Sequence, residues 1–314
     1  MTVRRGQGTI IVCVTPNPAD DVTVMAGRVR LGGTHVVPAS TSRLGGKGVN
    51  CARVLASIGA EVIAMGPLAT RYHPPAAVGS PQWRFTPTRS ALRRTVTIVE
   101  SGGRASIFNE RGGQHEPEVW HELKGDLARI LRSESVSVLT VNGSLPPEAP
   151  DGLIPDLLAL ARDHGVTTIV DTSGEHLLRA AEAGADWLKP NVDEVAALSP
   201  DGRWRNGVMR LLESGARNLL VSRGELGMIA ITPENHFAAA MPEPLSGNPT
   251  GAGDAAVAAF AEALRRRAST VSALRRAVAV SASAVLMDEA GEIHGSWPDL
   301  ESAVQITTTK ELWK

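Results

Sequence analysis

Residues 136–171 read VSVLTVNGSLPPEAPDGLIPDLLALARDHGVTTIVD, and the architecture can be read outward from them. The β-branched run Val136–Val141 predicts a strand, the helical spacing of Gly152–His164 a helix, and Val166–Asp171 a second strand. Strand, helix, strand at this length is the unit that builds parallel sheets. Upstream the unit recurs as strand Thr9–Val14 (TIIVCV), helix Asn50–Ile58 and strand Glu61–Met65. Downstream come helix Glu175–Ala183, the short strand Trp187–Lys189 and a helix over Asp193–Leu198. Helix Arg203–Ser214 and strands Asn218–Ser222 and Met228–Thr232 continue the alternation. The expectation is an α/β chain, a mostly parallel central sheet covered by helices on both faces.

Two stretches break this rhythm. Val22–Met25 and Thr34–Val37 flank Gly32-Gly33, and Thr95–Glu100 and Ala105–Asn109 flank Ser101-Gly102-Gly103. They read as two β-hairpins, from which a small antiparallel lid is expected, built from insertions at about 20–43 and 90–112. Between residues 69 and 89 the prolines exclude a regular helix, so a loop is expected there. Two helices, Ala255–Arg267 and Val271–Met287, are expected to end the C-terminal third.

Composition narrows the function classes. The 314 residues carry 32 Lys+Arg and 33 Asp+Glu, a net charge of −1, which leaves no electrostatic footprint for a nucleic acid or an anionic membrane. Hydrophobic residues at 43% and charged residues at 21% are globular values. Two widely spaced cysteines, Cys13 and Cys51, exclude a disulfide scaffold and a zinc module and fit a reducing compartment. The apolar run after Arg4 and Arg5 is far shorter than a membrane span, so a cytoplasmic protein is expected.

Chemistry concentrates in four runs. Gly251-Ala252-Gly253-Asp254 opens an Ala-rich helix. Glycines allow a tight turn, and the helix start presents unpaired N–H groups and partial positive charge, together an anion cradle. Asp254 beside that cradle would serve better as a base for an attacking hydroxyl than as an anion binder, although an Asp N-cap is the plainer account of the same four residues. The run also fits G-x-G-x-x-A, but no clear strand precedes it and no acidic residue ends a second strand, so a dinucleotide fingerprint is rejected. Gly45-Gly46-Lys47-Gly48-Val49-Asn50 is a second glycine turn, not a Walker loop, and either shapes a turn or lets a polyhydroxy ligand lie against the backbone with Lys47 and Asn50 as donors. Asn191 and Glu194 in Lys189-Pro190-Asn191-Val192-Asp193-Glu194 have capping-box spacing, and at a strand's carboxyl end they could also hold a hydrated Mg²⁺. Asp21 follows the first strand and could accept hydrogen bonds from sugar hydroxyls or be a solvated turn acid.

Taken together, the blocks Thr15–Val24 (TPNPADDVTV), Gly45–Ala52 (GGKGVNCA), Asn142–Pro147 (NGSLPP), Val170–Glu175 (VDTSGE), Leu188–Glu194 (LKPNVDE) and Asn248–Asp254 (NPTGAGD) resemble the ribokinase-like (PfkB) carbohydrate kinases. Within that family they are similar to the 1-phosphofructokinase and tagatose-6-phosphate kinase branch. The resemblance implies a single three-layer ribokinase-like domain over residues 1–314, with a small β lid, that phosphorylates a sugar or hexose-phosphate hydroxyl using ATP and Mg²⁺. It implies Asp254 as catalytic base and Gly251, Ala252 and Gly253 as the anion hole. Lys189, Ser222, Gly224 and Gly227 fall at nucleotide positions, and Asn191 and Glu194 at the position for Mg²⁺ and phosphate. Asp21, Gly45, Gly46, Lys47 and Asn50 fall at the sugar end, and Arg93 resembles the arginine that receives the substrate phosphate. The Thr-Arg-x-Asn usual in that branch reads Leu92-Arg93-Arg94-Thr95 here. A kinase for an unphosphorylated sugar or nucleoside and a non-catalytic sensor are the alternatives. An exposed lid edge makes a homodimer through the lid an expectation.

Overall fold

The computed structural model describes residues 9–74, 77–102 and 104–309. Arg4, Arg5, Pro75 and Gly103 lie outside them. The chain begins with β1 (Ile10–Val14), β2 (Ala19–Ala26), β3 (Ser40–Gly45), α1 (Lys47–Ser57) and β4 (Val62–Met65). Short strands β5 (Pro67–Ala69), β6 (Gln82–Trp83) and β7 (Thr86–Thr88) follow, then β8 (Arg93–Glu100) and β9 (Ala105–Asn109). The alternating section runs α2 (Pro117–Ser133), β10 (Val136–Asn142), α3 (Leu153–Asp163), β11 (Thr167–Asp171), α4 (Glu175–Glu182) and β12 (Trp187–Leu188). It continues with α5 (Val192–Ala196), α6 (Trp204–Glu213), β13 (Leu219–Ser222), β14 (Met228–Ile231) and β15 (His236–Ala240). Helices α7 (Ala252–Arg265), α8 (Thr270–Ala284) and α9 (Trp297–Ala303) precede β16 (Gln305–Thr309).

Ten strands form the main sheet in the order β16-β15-β14-β13-β12-β11-β10-β1-β4-β6. Pairing is parallel from β6 to β13 and antiparallel from β13 to β16. All of β1 is buried, as its unbroken apolar run requires of a strand covered on both faces. One face packs on α2, α3, α4 and α6 through residues such as Trp120, Leu123, Leu157 and Leu211. The other packs on α1, α7 and α8 through Val54, Phe260 and Leu274. Because β4 lies on one side of β1 and β10 on the other, strand order reverses at β1, and open α/β sheets bind ligands beyond the carboxyl ends at such a point.

A second sheet, order β3-β2-β8-β9, stands apart from the first. It consists of two antiparallel hairpins joined edge to edge by a parallel β2–β8 pair. The second hairpin lies where its residues predict. In the first, residues 34–37 form no strand, and β3 is Ser40–Gly45, paired from Ala19↔Gly45 to Val24↔Ser40. Pro38 follows the expected strand and lacks a ladder donor, while STSRLG pairs through its backbone without an apolar pattern to announce it. The 69–89 stretch is likewise not all loop: β6 extends the main sheet beside β4, and β7 pairs with β5. Among the described residues of that stretch no helix forms, as the prolines dictate. The C-terminal part also goes beyond two helices, adding α9 and β16, which extends the sheet beside β15. Among the described residues no helix is long and apolar enough to cross a membrane.

Candidate active site

A cleft of about 1280 Å³ lies over the carboxyl ends of the central strands and is bordered by the second sheet. At its floor α7 begins. Gly251 is the N-cap, with φ of +84°, and a Cβ there would come within 2.8 Å of Ala290, so the turn needs glycine on conformational and steric grounds. Asn248 shapes the approach, its Oδ1 accepting from Thr250 N at 3.0 Å and its Nδ2 donating to Asp288 O at 2.9 Å. The Ala252 amide donates to Pro249 O at 3.2 Å and so helps close the turn, while the Gly253 and Asp254 amides have no carbonyl partner among the described residues, as expected of a helix's first turn.

Asp254 sits inside that first turn and does not cap the helix; its carboxylate is turned into the cleft wall. It is 7% exposed and accepts from Asn50 Nδ2 at 3.1 Å. Burial pushes its carboxyl up to about 7 from the ordinary 3.8, against the pull of Lys47 and with a further push from Asp171. Asn50 links it to Asp21, whose Oδ2 lies 3.4 Å from Asn50 Nδ2 and 3.3 Å from the Gly46 amide. Asp21 is therefore no solvated turn acid. It belongs to β2, and burial raises its carboxyl despite these hydrogen bonds.

Gly45, expected at the sugar end, does not line the cleft: a Cβ there would overlap the Asp21 carboxylate, so this glycine makes room for Asp21. Gly46, Lys47 and Asn50 do line it. Lys47 Nζ donates to Asp171 Oδ1 at 2.9 Å and lies 3.8 Å from Glu194 Oε1. Burial would lower its ammonium, but Asp171, Glu194 and Asp254 together raise it above the usual value, so Lys47 is a cation. Asp171, at the end of β11, is a site residue that the VDTSGE block contains but does not mark out. Its place at a strand's carboxyl end is the signal the sequence offers. It is 1% exposed, and Lys189 Nζ stands 3.4 Å from its other oxygen. Burial opposes its charge, yet the two lysines outweigh burial and hold its carboxyl below the ordinary value.

Lys189 is buried, and its ammonium faces the start of α7, 3.5 Å from where a Gly253 side chain would begin. Asn191 and Glu194 form the capping box: Asn191 N donates to Glu194 Oε2, and Glu194 N to Asn191 Oδ1, both at 2.8 Å. Both residues also line the cleft. Ser222, Gly224 and Gly227 line its far end, where the Arg223 amide donates to Gly227 O at 2.8 Å. Arg93 lines the near end, but Nε donates to Asn17 O at 3.1 Å and Nη1 to Thr95 Oγ1 and Glu110 O, both at 3.3 Å. Among the described residues no group of three or more His, Cys, Asp or Glu is placed to hold a metal ion.

Known proteins resemble the chain in sequence and in fold. The model of the pfkB family carbohydrate kinases matches residues 87–294. Tagatose-6-phosphate kinase of Staphylococcus epidermidis is 25% identical over 297 residues, 91% of this chain and 95% of that protein. ATP-dependent 6-phosphofructokinase isozyme 2 of Escherichia coli is 30% identical over 262 residues, 77% of this chain and 81% of that one. In fold, the crystal structure of phosphofructokinase-2 from Escherichia coli in complex with fructose-6-phosphate superimposes with a TM-score of 0.78 at 26% identity, covering 94% of this chain and 99% of that one. A matched family model across two thirds of the residues leads to one assignment: the chain belongs to the pfkB family of carbohydrate kinases.

Proposed function

We propose that this protein transfers the γ-phosphoryl group of ATP to a hydroxyl of a hexose phosphate. The observation that carries the reading is Asp254, a buried carboxylate with its proton affinity tuned to about 7, set beside a left-handed glycine turn at the floor of the cleft. In the step, the acceptor hydroxyl gives its proton to Asp254 while its oxygen forms the new O–P bond. The bond from the γ-phosphorus to the bridging oxygen breaks, and its electron pair leaves on ADP. The first-turn amides and Lys189 face the transferring group and offset its charge. Ser222, Gly224 and Gly227 form the nucleotide end, and Asp21, Gly46, Lys47 and Asn50 orient the acceptor.

A resident Mg²⁺ fits this donor set only through water. Glu194 Oε2 and Asn191 Oδ1 are spent on the capping box, which leaves Glu194 Oε1, 3.8 Å from Lys47, as the oxygen turned toward the cleft. When bound, the ion would supply charge neutralisation at the phosphates. The second sheet borders the acceptor end, where it would act as a lid that excludes water and so limits wasteful ATP hydrolysis.

Arg93 supports a second reading. Its guanidinium already holds three protein oxygens, which fits an acceptor lacking a phosphate. ADP release with ATP, Mg²⁺ and a panel of sugars and sugar phosphates decides between them. Turnover with hexose phosphates well above that with free sugars supports the leading reading, the opposite ranking supports the second, and no turnover at all supports a sensor. The exposed edge strand β9, with Phe108 61% exposed, is read as a contact between two copies, checked by sedimentation of wild type against Phe108→Asp.

A further inference from the structure

We propose that Arg43 is a positioning residue that couples the second sheet to the turn bearing Asp254, an inference that deepens the kinase reading and rests on it. Arg43 lies on β3, directly opposite Asp21 on β2, so the two side chains share one face of the second sheet. Its guanidinium crosses to the loop after α8. Nη1 pairs with Glu289 Oε2 at 2.7 Å and Glu292 Oε1 at 2.8 Å, and Nη2 donates to Ala290 O. A lone exposed ion pair would hold little, but this half-buried fork engages two carboxylates and a carbonyl at once.

What the fork holds is the wall behind the reacting groups. Ala290 packs on Gly251, where no Cβ would fit. Gly291, with φ of +83°, packs on Asn50, the side chain that hydrogen-bonds both Asp254 and Asp21. The other end of the same loop is tied by Asn248, through its amide to Val285 O at 2.8 Å and its side chain to Asp288 O. Residues 285–292 are thus clamped between the irregular segment leading into the turn and the second sheet. A movement of β2 and β3 around an acceptor at Asp21 reaches Gly251 and Asn50 through Arg43. Losing the fork should let the turn drift, and a misplacement of about 1 Å can cost about 10²-fold in rate.

The test uses Arg43→Ala, Arg43→Lys and the double variant Glu289→Gln/Glu292→Gln, which strips from the fork the two carboxylate charges it holds. For Arg43→Ala we expect kcat to fall about tenfold or more with acceptor KM changed less than about threefold, with part of the loss recovered in Arg43→Lys. The Gln pair should reproduce the loss, and adding Arg43→Ala to it should cost little more. Amide exchange, read without substrate, should quicken at residues 250–254 while β1 and β10 keep their protection. Unchanged exchange at 250–254, or intact kcat with only a lower Tm, would overturn the coupling. Should wild type turn over no sugar or sugar phosphate, the kinase reading falls while the exchange data still judge the clamp. Should Arg43→Ala fail to fold, the Gln pair answers the same question through the same exchange and kcat readouts.

Discussion

The two sheets differ in how they are held. In the main sheet β1 is buried throughout and β10 nearly so, whereas β2 is mostly half-buried and four of the five β9 residues are exposed. A strand packed on both faces cannot slip by one residue without repacking every side chain against the opposite helix layer, so the strand ends over which Asp171 and Lys189 sit are rigidly placed. A sheet with little burial can shift or open at small cost. In the proposed reading labour would divide accordingly: the groups proposed to act on the transferring phosphoryl ride on the core, while Asp21 and Arg93, at the proposed acceptor end, ride on the lightly held sheet.

The sharpest way to break this division is Asp254→Asn. It should lower kcat about 10²–10⁴-fold with acceptor KM little changed, measured by coupled ADP release. Near-normal turnover would remove Asp254 from the role of base. Gly251→Ala comes next: the φ of +84° and the contact with Ala290 both oppose a side chain, and we expect kcat to fall about 10–100-fold in a folded protein. Arg93→Ala tests the other side of the comparison. It should raise KM for a hexose phosphate about tenfold and leave kcat within about threefold. A kcat loss as deep as that of Asp254→Asn would erase the distinction between the sheets.

The smallest effect expected is in pH dependence. The base must be ionised, so kcat/KM should fall about tenfold per pH unit below an apparent value of about 7. In Asp171→Asn a neighbour that raises the Asp254 carboxyl is lost, so that limb should move to lower pH, a shift that mere destabilisation would not produce. Stability runs the other way. The native carboxyl binds its proton more tightly than the unfolded one, so this contribution is complete below pH 3.8 and is lost as pH rises through about 7.

Legibility follows the range of the physics. The turn at Gly251 can be read because a left-handed glycine before a helix start is a demand made within four residues. The capping box at Asn191 and Glu194 is equally local. Asp171 cannot be singled out along the chain because its importance comes from Lys47, 124 residues away, and Lys189. Gly45 reads as a ligand contact because its glycine block looks uniform, whereas its neighbour in space, Asp21, lies on another strand.

Pattern along the chain is sufficient for the α/β class, the parallel core and the family motifs, since strand and helix periodicities and glycine turns are written in neighbouring residues. Folding alone decides that β3 is Ser40–Gly45, that Asn50 bridges Asp21 and Asp254, and that Arg43 reaches the loop beyond α8. Those facts depend on backbone pairing and on charges brought together from residues up to 249 positions apart, and neither leaves a local mark.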